Sequence, residues 1–86
     1  MNIAVCDDES KILEEISDFI EKEFAGNKVQ TFSDGEAFLS AVKAATDVEP
    51  DILLIDIDMP GLSGMDVAAA LTSEKAHTLI VFVTWK

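Results

Sequence analysis

The sequence contains no arginine and only one cysteine, Cys6. It has six basic and 17 acidic residues, which gives a formal net charge of -11. A chain of this sign is repelled by nucleic acids and by anionic membranes, so we expect it to bind neither directly. A single cysteine cannot form an internal disulfide, and this favours a reducing cytoplasm as the setting.

Long hydrophobic runs and targeting signals are missing as well. No apolar run approaches the roughly 20 residues that a bilayer-spanning helix needs. Residues 1–4 lead straight into an apolar stretch, without the basic region that opens a signal peptide. The sequence therefore predicts neither a membrane span nor secretion.

Apolar residues are abundant, because 49% of the chain is hydrophobic. Such a composition supplies a core and argues against disorder despite the high net charge. Eighty-six residues fit one small domain. We therefore expect residues 1–86 to form a single domain.

Short apolar stretches alternate with segments of helical periodicity. Strands are predicted at residues 2–6, 29–32, 51–56 and 78–84. A first helix is predicted between Glu9 and Gly26, with one apolar face that includes Phe19 and Phe24. Ser33 and Glu36 form a capping-box pattern that opens a second helix, and a third is predicted at residues 65–73.

The predicted order of elements is β-α-β-α-β-α-β. Such alternation indicates an α/β protein in which right-handed crossovers build a parallel sheet with helices on both faces. We expect a flavodoxin-like, doubly wound sheet with the strand order 2-1-3-4. In that order the first and third strands are neighbours, and the crevice beyond their carboxyl ends is the usual binding site.

Acidic residues follow these two neighbouring strands. Asp7 and Asp8 come after the first strand, and Asp56 and Asp58 come at the end of the third. Three carboxylates that converge in one crevice repel one another unless a cation lies between them, and a small hard cation with oxygen ligands fits best, which is Mg²⁺. The alternative is that these acids only cap helices and end strands in solvent.

An ordered set of motifs runs along the chain: VCDDE at 5–9, FSDG at 32–35, DILLIDIDMP at 51–60, Gly64, and VT at 83–84. With this set the whole chain resembles the receiver domain of two-component response regulators, and its opening and first helix resemble those of the LytTR-type subfamily. Each motif alone is weak, whereas the set in this order and spacing is specific.

The resemblance implies a role for each matching position. Asp56 is expected to accept a phosphoryl group from a sensor histidine kinase. Asp7, Asp8 and Asp56 are expected to hold Mg²⁺ together with the backbone carbonyl of Asp58. Thr84 is expected to sense the phosphoryl group through its hydroxyl. The chain would then be a phosphorylation switch and not an enzyme with a diffusible substrate.

The sequence departs from the family pattern in two ways. A receiver normally continues through a fifth strand, which carries a lysine that pairs with the phosphoryl group, so we expect residues 1–86 to be truncated before that strand. The residue after Thr84 is Trp85, where the family usually has a small one. One alternative is therefore a truncated or degenerate receiver that acts as a phosphorylation-independent interaction module. A hydrolase of the aspartyl-phosphate type is a more distant alternative, because its later motifs are missing.

The fourth predicted strand is apolar on both faces but lies at the edge of the predicted sheet. Its row of backbone donors and acceptors would be open, and part of its apolar surface would lack a cover. We therefore expect the 86-residue chain to form a homodimer or a higher oligomer through this strand.

Overall fold

A computed structural model describes residues 1–44, 49–73 and 77–83 of the chain. Within them, helices and strands alternate as the sequence predicts. In chain order the elements are β1 Asn2–Cys6, α1 Ser10–Glu23, β2 Lys28–Phe32, α2 Gly35–Ala44, β3 Ile52–Asp56, α3 Gly64–Ser73 and β4 Leu79–Val83. None of the described helices is long and apolar enough to cross a membrane.

The strands of the described residues form one parallel sheet in the order β2-β1-β3-β4. The predicted order and the doubly wound class are thereby confirmed. β1 and β3 occupy the centre and are largely buried, whereas β2 and β4 are the edges. Central strands need apolar residues on both faces because helices cover both sides, and these two have them.

Two apolar clusters lie on opposite faces of the sheet because side chains alternate along each strand. Ile3 and Val5 of β1 pack in one cluster with residues of α1. Ala4 and Cys6 point to the other face, where Phe38 of α2 and two residues of α3 complete the larger cluster. The alternation along β1 therefore places α1 on one side of the sheet and α2 with α3 on the other.

The apolar face of α1 that the sequence predicts is buried only in part. Leu13 and Ile20 are buried, but Phe19 and Phe24 are 58% and 56% exposed. The two rings meet edge to face with their centroids 6.1 Å apart. Helical spacing correctly identified one stripe of residues, but the stripe is wider than the sheet surface beneath it.

The start of α2 also differs from the predicted capping box. The helix begins at Gly35, and Asp34 rather than Ser33 caps it, because Asp34 Oδ1 accepts a hydrogen bond of 2.7 Å from the Ala37 amide. Aspartate is as effective a cap as serine. The prediction of a helix at this point was right, and the residue named as its cap was wrong.

Candidate functional site

Two aspartates are buried where the central strands end. Asp7 follows β1, Asp56 is the last residue of β3, and each has only 1% of its surface exposed. The register of the sheet pairs Cys6 with Ile55, so the next pair along the two strands is Asp7 and Asp56. Parallel pairing of β1 with β3 thus brings together two side chains that are far apart in sequence.

Asp8 adds a third carboxylate from the exposed side. Carboxylate oxygens of Asp7, Asp8 and Asp56 all lie within 4.8 Å of one another, and Asp8 is exposed whereas the other two are buried. The convergence that the sequence predicted is present in the structure. The cluster therefore has two members in the core and one at the surface.

Local turns hold one oxygen of each buried carboxylate. Asp7 Oδ1 accepts a hydrogen bond of 2.8 Å from the Glu9 amide, and Asp56 Oδ1 accepts one of 3.1 Å from the Asp58 amide. Asp56 Oδ2 is buried and has no hydrogen-bond partner among the residues that the structure describes. A buried carboxylate oxygen without a donor is costly, so this oxygen is suited to a ligand that brings positive charge.

The cluster fits a hard divalent cation on two grounds. All of its donors are carboxylate oxygens, which hard cations prefer to nitrogen or sulfur. Ligand oxygens that sit about 2.0–2.6 Å from such an ion are at most roughly 4–5 Å from one another. The separation of up to 4.8 Å between the carboxylate oxygens therefore allows all three residues to reach one ion.

The remaining predicted site residues are placed less completely. Asp58 is exposed, and its carboxylate does not join the cluster. Its backbone amide donates to Asp56, which fixes the turn after β3, while the metal contact of its carbonyl stays a prediction. Thr84 lies outside the described residues, as do Trp85 and Lys86. The residue before Thr84, Val83, is aligned with Asp56 in the sheet.

Cys6 lies directly beneath the cluster. Its side chain is completely buried, and its thiol donates to the sulfur of Met59 at 3.9 Å. Burial raises the pKa of this thiol from 9.0 to about 12, and the charges of Asp34, Asp7 and Asp56 act in the same direction. The thiol is therefore protonated and behaves as a small apolar group, as expected of a buried free cysteine.

We expect Cys6 to react with iodoacetamide only when the chain unfolds. A thiol whose pKa is raised from 9.0 to about 12 holds roughly 10³-fold less thiolate near pH 8, and thiolate is the reactive form. Mass spectrometry would follow the modification of the native chain and of the chain in concentrated urea. Equal rates in the two conditions would contradict the buried placement of this side chain.

The sequence motifs did not reveal how the loop after β3 is closed. Ser63 and Asp66 form a reciprocal cap at the start of α3, with Ser63 Oγ 3.2 Å from the Asp66 amide and Asp66 Oδ2 3.1 Å from the Ser63 amide. The Gly64 amide donates to the Ile57 carbonyl at 3.2 Å. The spacing of a serine and an acid by three residues could have predicted the cap, whereas the contact of Gly64 needed the structure.

The fold and the site define a doubly wound parallel α/β protein with an acidic crevice at the carboxyl ends of its central strands, where such sheets usually bind their ligands. The family model of the response regulator receiver domain matches residues 3–86. The chain therefore belongs to this family, which confirms the resemblance inferred from the motifs.

Individual regulators are similar to the chain along nearly its whole length. The positive alginate biosynthesis regulatory protein of Pseudomonas aeruginosa is 35% identical to it, over 98% of this chain and 33% of that protein. The sensory transduction protein LytT of Enterococcus faecalis is 30% identical, over 98% of this chain and 34% of that protein. The chain thus spans about a third of the length of the curated relatives it matches.

Solved structures show the same fold. The response regulator protein TrrA of Thermotoga maritima, solved in complex with Mg²⁺ and BeF, has a TM-score of 0.83 at 31% identity. The alignment covers 96% of this chain and 68% of TrrA. A response regulator receiver domain protein of Clostridium thermocellum has a TM-score of 0.82 at 32% identity, over 96% of this chain and 64% of that one.

Proposed function

We propose that the chain is a signalling receiver that accepts a phosphoryl group on Asp56 from a sensor histidine kinase, with Mg²⁺ bound beside it. The observation that carries the proposal is the state of Asp56. Its Oδ2 is buried without a hydrogen-bond partner among the described residues, and two more carboxylates lie within 4.8 Å. Structural caps and solvated strand ends do not require such a buried cluster.

Asp56 acts as the nucleophile in this proposal. The Asp58 amide holds Oδ1, and in the proposal one carboxylate oxygen forms the bond to phosphorus while the other contacts the metal. As that bond forms, the bond between phosphorus and the histidine nitrogen of the kinase breaks, and its electron pair leaves with the imidazole. Carboxylates serve as covalent acceptors of this kind in other phosphoryl-transfer proteins.

The three carboxylates and the Asp58 carbonyl would hold the metal. Mg²⁺, when bound, neutralises charge on the transferring phosphoryl group. Mg²⁺ gives up its waters reluctantly, so we expect weak affinity. The Mg²⁺ and BeF in the structure of TrrA support the choice of ion for this chain.

The signal would leave the site through Thr84, whose hydroxyl senses the phosphoryl group. Added charge at Asp56 can bias a two-state element of this kind. Residues 1–86 would belong to one receiver domain, and the output would reside elsewhere in a longer regulator of transcription. Relatives such as the alginate regulator, which are about three times longer than the matched segment, support this division.

The test of the proposed function is covalent labelling by acetyl phosphate. We expect the intact chain to gain the mass of one phosphoryl group when Mg²⁺ is present and none when it is chelated. Peptide mapping should place the adduct on the segment with Asp56, and hydroxylamine should remove it because an acyl phosphate is labile. An unlabelled chain that is folded and supplied with Mg²⁺ would favour the degenerate interaction module instead.

Asp8 and Asp58 offer a matched pair of variants for the metal. Asp8→Asn removes a unit of charge from the exposed side of the cluster. A unit charge and a divalent ion attract each other by roughly 2 kcal/mol at about 4 Å in water, so we expect about 30-fold weaker Mg²⁺ binding. Asp58→Asn removes the same charge but keeps the backbone carbonyl, so the affinity should fall by less than about threefold. Calorimetric titration with Mg²⁺ compares the two. A larger loss in Asp58→Asn would mean that its carboxylate is the ligand.

A further inference from the structure

Gly64, the first residue of α3, is buried against the backbone of Asp56. A methyl group at this position would lie 2.5 Å from the Asp56 carbonyl oxygen, 3.2 Å from the Asp56 carbonyl carbon and 3.1 Å from Ile57 Cα. All three atoms belong to the main chain. No side-chain rotation could relieve the overlap, so an added methyl group would have to move the backbone.

The same stretch of backbone is held from two other directions. The Ile57 amide donates to the Val83 carbonyl of β4 at 3.3 Å, and the Ile57 carbonyl accepts from the Gly64 amide at 3.2 Å. The peptide between Asp56 and Ile57 thus lies between β4 and the start of α3. Because Gly64 has no side chain, α3 can approach this peptide closely.

The position of this peptide controls the Asp56 carboxylate. One residue further along, the Asp58 amide donates a hydrogen bond of 3.1 Å to Asp56 Oδ1. A shift of the Asp56–Ile57 peptide moves this amide, and with it the direction of the unpartnered Oδ2. The start of α3 is therefore connected to the reacting atom through backbone contacts alone.

We infer that Gly64 is a positioning residue for phosphoryl transfer, because only a residue without Cβ lets α3 fix the Asp56 backbone where the carboxylate can react. The inference rests on the proposed function of Asp56. Gly64 does not have a positive φ, so its role is close approach and not backbone flexibility. Alanine is also the better helix former, and the substitution therefore isolates the steric effect.

Gly64→Ala should slow phosphorylation strongly. An ordinary contact begins at 3.4 Å, so the separation of 2.5 Å between the added methyl group and the Asp56 carbonyl oxygen requires a displacement of about 1 Å. A misplacement of this size at a reacting group lowers a rate by about 10²-fold. The loss should appear in the maximal rate at saturating Mg²⁺ and acetyl phosphate, because the displaced group is the nucleophile.

Gly35→Ala is the matched control. Gly35 is likewise the buried first residue of a helix, α2, and its added methyl group would lie 2.6 Å from Val67 Cγ2. That overlap is with a side-chain methyl group on α3, and the next nearest atoms are Leu62 Cβ at 3.3 Å and the Leu62 carbonyl oxygen at 3.4 Å, so no Asp56 atom is among the three nearest. Gly35→Ala should lower the melting temperature while leaving the labelling rate within about twofold.

Two measurements on both variants decide the inference. Amide chemical shifts of Ile57 and Asp58 should change in Gly64→Ala and stay in place in Gly35→Ala. The maximal labelling rate should fall only in Gly64→Ala. Unchanged amide shifts in Gly64→Ala, or an equal slowing by Gly35→Ala at similar stability, would overturn the positioning role.

The design separates this inference from the proposed function. If the parent chain is not labelled at all, the proposed function fails, and the amide shifts still decide whether Gly64 positions Asp56. If Gly64→Ala does not fold in buffer, the comparison is repeated for every variant in a stabilising osmolyte, which favours compact states. A variant that folds there and reacts at the parental rate would overturn the inference.

Discussion

Asp56→Asn is expected to abolish phosphoryl labelling and to raise the melting temperature of the chain in EDTA. The first effect follows because an amide cannot act as the nucleophile. The second follows from burial, since Asp56 and Asp7 are each 1% exposed and their oxygens lie within 4.8 Å. Loss of function and gain of stability should therefore occur in the same variant.

The size of the stabilisation can be bounded. Two unit charges no more than 4.8 Å apart repel each other by about 3 kcal/mol or more at an effective dielectric constant near 20. The buried amide of asparagine needs partners of its own, which reduces the gain. We expect a net gain of about 1–3 kcal/mol, and each kcal/mol raises the melting temperature of a domain this small by roughly 4–8 °C.

Asp18→Asn provides the control, because it makes the same change of charge at an exposed position on α1. It should leave both labelling and melting nearly unchanged. Thermal unfolding followed by circular dichroism, with and without Mg²⁺, compares the three chains. A lower melting temperature for Asp56→Asn in EDTA would show that the carboxylate is compensated without a metal, and an adduct in this variant would remove Asp56 as the acceptor.

The sheet could be predicted from the sequence because its signals are redundant. Each strand is a short apolar run between turn residues, and alternation with helices leaves few topologies open once crossovers are right-handed. The glycine in the turn after α1 is an example of a local signal with one solution. Gly26 has a φ of 96°, a conformation that other residues adopt at a cost.

Choices between similar residues could not be predicted in the same way. Ser33 and Asp34 are both good caps by residue type, and only the structure shows that Asp34 accepts the hydrogen bond. Phe19 belongs to the same predicted apolar face as the buried Ile20, yet it is 58% exposed. Periodicity reports which residues share a face, but the width of the covering surface depends on packing.

The candidate site shows the same division. Convergence of Asp7 and Asp56 follows from the order of strands, so the sequence predicts it. The unpartnered Oδ2 of Asp56 and the contact of Gly64 with its carbonyl depend on distances of a few ångström between segments eight or more residues apart. No motif encodes such distances, and they decide which oxygen is available.

The second large effect is expected at the edge strand β4. Among the described residues it pairs with β3 alone, and Leu79, Val81 and Phe82 are 62%, 37% and 38% exposed. Burying such side chains stabilises a protein by roughly 1.5–3 kcal/mol each. An open row of backbone donors and acceptors beside this apolar surface favours pairing with a second copy.

We therefore expect the 86-residue chain to self-associate through β4, and Val81→Lys to weaken the association by about 10²-fold. The substitution leaves a charge in water in the monomer and buries it in the dimer, at a cost of about 3 kcal/mol. Because each chain carries a net charge of -11, repulsion opposes pairing, and added salt should strengthen the parental dimer.

Gln30→Lys distinguishes edge pairing at β4 from a general effect of charge. Gln30 is exposed on β2, the opposite edge of the same sheet. Its substitution adds the same charge to a strand that takes no part in the predicted contact between two copies. Sedimentation equilibrium over a range of concentrations should show dimers for the parent and for Gln30→Lys, and monomers for Val81→Lys. If the parent is a monomer at high micromolar concentration and melts sharply, the apolar surface of β4 costs less than expected and this prediction is wrong. If Gln30→Lys dissociates the dimer instead, pairing occurs through β2.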